Sequence, residues 1–252
     1  MAFLRTNLVL TGWYVSLQAG KNKPDNIFKT LKKVLIIHAH PEQQSFCSSL
    51  KSVALQYFTN QGDLVQESDL YAMGFDPVGG PRDFKNLSNP DFFKYQAEQI
   101  NACKTDSFTN VLKKEMDKLV WCDLLIFNFP LWWFGLPAIL KGWVDRVFAM
   151  GLVYGDGRGV YENGAFKEKT AFVTMTTGGP EIAYTATSNG NPAVILFPIH
   201  HGMFYFAGMT VLPPFISWSP ARISQQERIA ELDRYKNYLM SIDSIKPTYT
   251  NR

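Results

Sequence analysis

The chain is poor in the residues from which several kinds of site are built. Its three cysteines, Cys47, Cys103 and Cys122, are odd in number and lack metal-type spacing. That speaks against a disulfide framework or a zinc site and leaves reduced thiols in a cytoplasmic protein as the expectation. The four histidines, His38, His40, His200 and His201, form no metalloprotease-type helix motif, so no catalytic metal is expected. The net charge is only +3 and no run of lysine and arginine is interleaved with aromatics, which excludes the usual basic face of a nucleic-acid binder. Long apolar runs are missing too. The stretch from Phe3 to Leu17 is interrupted by Arg5, Asn7, Thr11, Gly12 and Ser16, too short and broken to span a bilayer or to resemble a secretory signal.

What the chain has is apolar and aromatic. With 252 residues, of which 46% are hydrophobic and 14% aromatic, it can bury a sizeable core in one α/β domain over residues 32–252. Residues 1–31 read as an N-terminal extension, with a linker at residues 20–25. A translated upstream segment, a peripheral arm and a docking strand are all open readings for it. From Lys33 onward, short apolar runs at 34–37, 64–66, 124–129, 171–176 and 211–218 read as strands. Helical spacing follows Ser45 and recurs at 107–119, after Pro137, at 193–208 and at 224–242, while residues 82–101 read as irregular. Five strands alternating with helices imply a doubly wound parallel sheet with helices on both faces.

Three segments fall at the C-terminal edge of that sheet, where open α/β folds bind ligands. After the first strand comes His38-Ala-His-Pro-Glu-Gln-Gln-Ser45, with Ser45 as a candidate helix N-cap. No Gly-x-Gly-x-x-Gly occurs there, which disfavours a Rossmann site. The exposed N–H groups and dipole of a helix N-terminus still suit a pyrophosphate. After the third strand comes Pro130-Leu-Trp-Trp-Phe-Gly135, whose rings could close the core or form a stacking wall for a flat conjugated ligand. After the fourth comes Thr176-Thr-Gly-Gly179, where glycines let a backbone press against a ligand edge.

The segment Phe129-Pro-Leu-Trp-Trp-Phe-Gly-Leu-Pro-Ala-Ile-Leu-Lys-Gly-Trp143 closely resembles the flavin-binding segment of the NAD(P)H:quinone oxidoreductases, flavodoxin-like FAD proteins also called DT-diaphorases. Glu67-Ser-Asp-Leu-Tyr-Ala-Met73 also matches that family. The resemblance implies a flavodoxin-like fold and an enzyme passing hydride from NADH or NADPH through FAD (FMN being possible) to a quinone or similar planar electrophile. It implies cofactor contacts from His40, Ser45, Phe46, Cys47, Pro130, Leu131, Trp132, Trp133, Phe134, Thr176, Thr177, Gly178, Gly179 and Tyr184. Tyr184 and Gly178 take catalytic roles. Trp133, Phe134, Tyr154 and Phe206 line the substrate slot, and a homodimer is expected with the segment Phe204-Tyr-Phe206 as a candidate contact.

Several positions depart from the family pattern. Trp132 stands for a glutamine, Cys47 for an asparagine and Lys94 for a glutamine. No histidine stands between Tyr184 and Pro192, which leaves Asn189 or water to manage protons there. The additional tail of mammalian-type members has no counterpart, so the choice between NADH and NADPH is open. A regulatory flavin-binding subunit of a potassium-efflux-type transporter, and an FMN-dependent azo- or nitroreductase, are the alternative readings.

Overall fold

Alternation along the strands decides the architecture. In β1 (Lys33–His38), Val34 and Ile36 join one apolar cluster, Leu35 and Ile37 the other, and all four are fully buried. A strand buried on both faces needs helices on both faces. The computed structural model describes residues 31–250. The N-terminal extension, apart from Leu31, lies outside the described residues.

After β1 come α1 (Phe46–Asn60), β2 (Leu64–Asp69), α2 (Tyr95–Thr105), α3 (Asn110–Trp121), β3 (Leu124–Pro130), α4 (Ala138–Val147) and β4 (Thr170–Thr176). Then follow α5 (Pro192–Ile195), α6 (Phe197–Ile199), β5 (Thr210–Val211), β6 (Phe215–Ser217) and α7 (Gln225–Met240). The strands are parallel in the order β2-β1-β3-β4-β5, with β6 also paired to β4. Helices α1 and α7 cover the Val34–Ile36 face. Residues of α2, α3, α4 and the segment around Phe204 cover the other.

Most expected elements form where their apolar pattern places them, and the differences have local causes. The strand expected at 211–218 is split into β5 and β6 because Pro213 and Pro214 have no N–H to give to a ladder. The helix expected at 193–208 is broken into α5, α6 and a wider π-helical turn, His200–Tyr205. Pro198 cannot donate to the preceding turn, which ends regular α geometry there. Residues 82–101, expected to be irregular, contain the start of α2. Its polar sequence shows no apolar stripe, and it is held instead through buried Glu98, whose carboxylate accepts the Ser88 and Asn89 N–H groups and the Ser88 hydroxyl.

The segment leading into α2 is tied to α4 as well. Arg146 forms a buried ion pair with Asp83 at 2.6 Å, and Tyr95 donates to the other Asp83 oxygen at 2.5 Å. Trp143, fully buried, donates its indole N–H to buried Glu115 at 2.9 Å, which satisfies the one polar atom of that ring. Gly142 lies flat against Pro77, so that a Cβ would be driven into the Pro77 backbone. Gly142→Ala should therefore destabilise the fold by about 3 kcal/mol, the upper range for overpacking. Urea unfolding checks this; an unchanged midpoint would show that the 70–94 segment yields freely.

Candidate active site

The order β2-β1-β3 reverses direction at β1, and the crevice beyond the carboxyl ends of β1 and β3 is the topological switch point where such sheets bind ligands. A cleft of ≈ 480 Å³ lies there. One side is formed by His40, Ser45, Phe46 and Cys47, leading into α1. The floor comes from Pro130, Leu131 and Trp132 at the end of β3, and the far side from Thr176, Thr177 and Gly178 at the end of β4. The cleft thus unites the three segments picked out in the sequence. It also contains Pro220, Ala221 and Arg228, which the sequence reading missed. Arg228 sits in the first helical turns of α7 and reaches the cleft only because α7 packs beside α1; no local pattern marks it.

On the α1 side the geometry suits an anion. Ser45 caps α1, its hydroxyl accepting the Ser48 N–H at 3.1 Å. The first-turn amides of Phe46 and Cys47 have no intrahelical acceptor and sit at the positive end of the helix dipole. His40 Nδ1 lies 3.0 Å from the Glu42 nitrogen and 3.1 Å from the Glu42 carbonyl oxygen; a neutral ring that accepts the Glu42 N–H there carries its proton on Nε2 as a donor. Burial lowers the His40 pKa, while the Glu42 backbone and carboxylate oppose that shift. The ring is thus a neutral donor near neutrality, and Arg228 is the cation of the cleft. Arg228 is itself braced, donating to the Ile223 carbonyl at 2.6 Å. Cys47 does not replace the polar contact of the family's asparagine. Its thiol turns inward to the Asn128 carbonyl oxygen at 3.3 Å, and burial pushes its pKa up.

The aromatic segment is a tight turn. Trp132 and Gly135 exchange both backbone hydrogen bonds, at 3.3 and 3.0 Å, while Trp133 (φ 48°) and Phe134 (φ 60°) both adopt left-handed backbone. That is a primed turn, usually made from Asn and Gly. Bulky residues there cost about 1–2 kcal/mol each. The rings are not core closure, because Trp133 is 96% exposed and Trp132 and Phe134 are about half exposed. The turn is fixed at its base by the Leu131 N–H, which donates to the Thr176 carbonyl at 2.8 Å.

On the β4 side, the Thr177 hydroxyl donates to the Gly179 carbonyl at 2.8 Å and accepts the Ser219 N–H at 3.2 Å, which fixes the course of the Thr-Thr-Gly-Gly turn. Gly178 faces open space, with no heavy atom within 4 Å of where a Cβ would stand. Tyr184 packs on Trp218 at 5.0 Å between ring centroids, and the space over Gly179 is shared by the Tyr184 ring and the Asn189 amide. His200 is buried and stacked on Phe204, burial holding its pKa down at about 4, and it takes no part here.

The expected substrate slot is divided. Tyr154 and Phe206 pack edge to face at 5.7 Å and line a different cleft, of ≈ 410 Å³, with Phe148 and Met203. Trp133 and Phe134 project from the turn elsewhere. Phe204 is fully buried against Phe127, so of the expected contact segment only Tyr205 and Phe206 reach the surface. A larger cleft, of ≈ 510 Å³ between α1 and α7, lies away from the strand ends and is lined by Val53, Tyr57, Leu232 and Met240 among others. Volume alone does not make it the site, since the convergent donors and rings are at the sheet edge.

Fold and cleft together define an open α/β protein with aromatic rings and anion donors gathered at the switch point of a 2-1-3-4-5 sheet. The family model described as "Flavodoxin-like fold" matches residues 32–239. The ribosyldihydronicotinamide dehydrogenase [quinone] of Rattus norvegicus is 42% identical over 86% of this chain and 95% of its own length. NAD(P)H dehydrogenase [quinone] 1 of Cavia porcellus is 38% identical over 87% and 80%. A solved structure of a putative quinone reductase from Klebsiella pneumoniae superposes with a TM-score of 0.82 at 34% identity, covering 86% of each chain. The chain belongs to the flavodoxin-like family of quinone oxidoreductases.

The strain in the turn can be measured. Replacing Trp133→Asn together with Phe134→Gly should raise stability by about 2 kcal/mol, because Asn-Gly enters a primed turn at little cost. Urea unfolding of the two forms decides it; equal or lower stability in the variant would mean that the turn is not strained.

Proposed function

We propose that this chain is an NAD(P)H-dependent flavoprotein that reduces quinones or similar planar electrophiles, with FAD as its flavin, acting as a cytoplasmic homodimer. The observation that carries the reading is the meeting, in one cleft, of an exposed aromatic turn, an open Thr-Thr-Gly backbone edge, a helix N-terminus and a braced arginine. The names of the relatives, quinone dehydrogenases using dihydronicotinamide donors, support the same chemistry. No helix among the described residues is long and apolar enough to cross a membrane, and Cys47, Cys103 and Cys122 are free thiols.

The parts of the cleft divide the work. Leu131, Trp132 and the ring-bearing turn would hold one face of an isoalloxazine ring and keep water from it. The Gly178 backbone, open above its Cα, would hydrogen-bond the ring's polar edge. A bound flavin supplies hydride acceptance from the nicotinamide donor and its return to the quinone in a ping-pong scheme. Tyr184 would hold a proton at its hydroxyl beside Gly179, where the Asn189 amide would donate without titrating. Two anion-binding elements, the first turn of α1 and Arg228, favour a diphosphate over a single phosphate, hence FAD over FMN.

The divided slot supports the dimer. Tyr154 and Phe206 form an apolar wall apart from the flavin cleft, and a second copy presenting that wall would complete the slot over Trp133 and Phe134. Light scattering should give twice the chain mass; a flavin-loaded monomer would contradict the dimer. The purified protein should release FAD, identified by its mass, and bleach with NADH. Tyr184→Phe should slow that bleaching about 10²-fold, as loss of one positioned proton donor does. Colourless protein that takes up neither flavin would end the reading, and unchanged flavin reduction in the variant would remove Tyr184 from the mechanism.

A further inference from the structure

Beneath the phosphate side of the cleft lies a buried polar relay that the flavin reading does not use. His38, at the end of β1, is fully buried. Its Nδ1 lies 2.6 Å from the Asn128 carbonyl oxygen and its Nε2 lies 3.1 Å from the Ser48 hydroxyl. Ser48 in turn lies 2.9 Å from the Glu42 carbonyl and 3.0 Å from the Ser45 hydroxyl, the α1 cap. The relay therefore runs from the central strand β3, through His38, to the loop and cap that form the anion side of the cleft.

With the Asn128 amide oxygen toward the ring, the proton count leaves one choice. That oxygen only accepts, so Nδ1 carries a proton, and the Asn128 amide nitrogen on the other side stays buried without a partner. The Glu42 carbonyl also only accepts, so the Ser48 hydroxyl must donate to it. Nε2 can then meet Ser48 only as a donor, which requires the imidazolium. With a neutral ring, the single Ser48 proton turns to Nε2 and the Glu42 carbonyl loses that partner. One proton decides whether Ser48 holds the ring or the loop.

Resting on the flavin reading above, we propose that His38 is a positioning residue of the anion cradle: taking up one proton from solvent, it releases the Ser48 hydroxyl to clamp the Glu42 carbonyl and so tightens the loop around the flavin diphosphate. The groups facing His38 are Lys51, which opposes protonation, and Asp69 and Glu67, which favour it, together with the Asn128 hydrogen bond. Lys51 is itself paired to both carboxylates, at 2.8 and 3.2 Å. Burial holds the His38 pKa below its ordinary value in the free chain. A bound diphosphate adds negative charge nearby and raises it, so proton and diphosphate favour each other's binding.

The test is FAD affinity, followed by flavin fluorescence, between about pH 8 and about pH 5, the range a histidine crosses. FAD's diphosphate does not titrate there. Wild type should bind about tenfold tighter at the acid end, the linkage of one pKa unit. His38→Gln keeps hydrogen-bonding groups toward Asn128 and Ser48 but cannot titrate, and Ser48→Ala cuts the relay while leaving His38 and His40 in place. His38→Gln should bind FAD with a flat pH response, and Ser48→Ala should keep only the smaller part that the charge on His38 exerts directly. An undiminished response in both variants would assign it to His40 and overturn the role of His38, as would a flat response in wild type. A wild-type chain that takes up no FAD at any pH would overturn the flavin reading itself. Ser48→Ala still decides the matter if His38→Gln does not fold.

Discussion

Two aromatic residues held in left-handed backbone, Trp133 and Phe134, are the constraint around which the rest of this molecule is arranged. Each costs energy there and gains little from burial, so the turn persists only because its two ends are immobile. At one end β3 is buried along its whole length, and the Leu131 N–H is bound to the Thr176 carbonyl. At the other, α4 is anchored by Trp143 on Glu115, by Gly142 against Pro77 and by Arg146 on Asp83. Core packing thus maintains a local strain whose product is a set of rings standing in solvent beside a backbone edge.

The electrostatics of the cleft follow a similar division. Its dominant charge comes from outside the three segments that build it, on Arg228 of α7, while His40 serves as a neutral donor and the α1 N-terminus as a fixed dipole. An anionic tail bound there would meet donors supplied by two helices that pack side by side on one face of the sheet. The flat part of such a ligand would meet the ends of β3 and β4. The separation matches a cofactor with an aromatic head and a charged tail.

Much of the fold was legible because it depends on short-range pattern. The buried runs of β1, β3 and β4 and the Ser45 cap announce themselves in a few consecutive residues, and the aromatic turn stands out by composition. What escaped depends on contacts made across the chain. Helix α2 has no apolar stripe and is held through the buried Glu98 carboxylate, a partner that no window reveals. Arg228 enters the cleft through the packing of α7 beside α1. The double proline at 213–214 was a local signal that an otherwise apolar run concealed. The separation of Tyr154 and Phe206 from the aromatic turn, and the burial of Phe204, become visible only once the chain is folded.

The most direct measurement is the electron density of a crystal soaked with FAD. The account predicts the isoalloxazine ring against Leu131–Phe134 and Gly178, with the diphosphate between the first turn of α1 and Arg228. A flavin seated in the larger groove between α1 and α7, or a ring turned away from the aromatic turn, would contradict it.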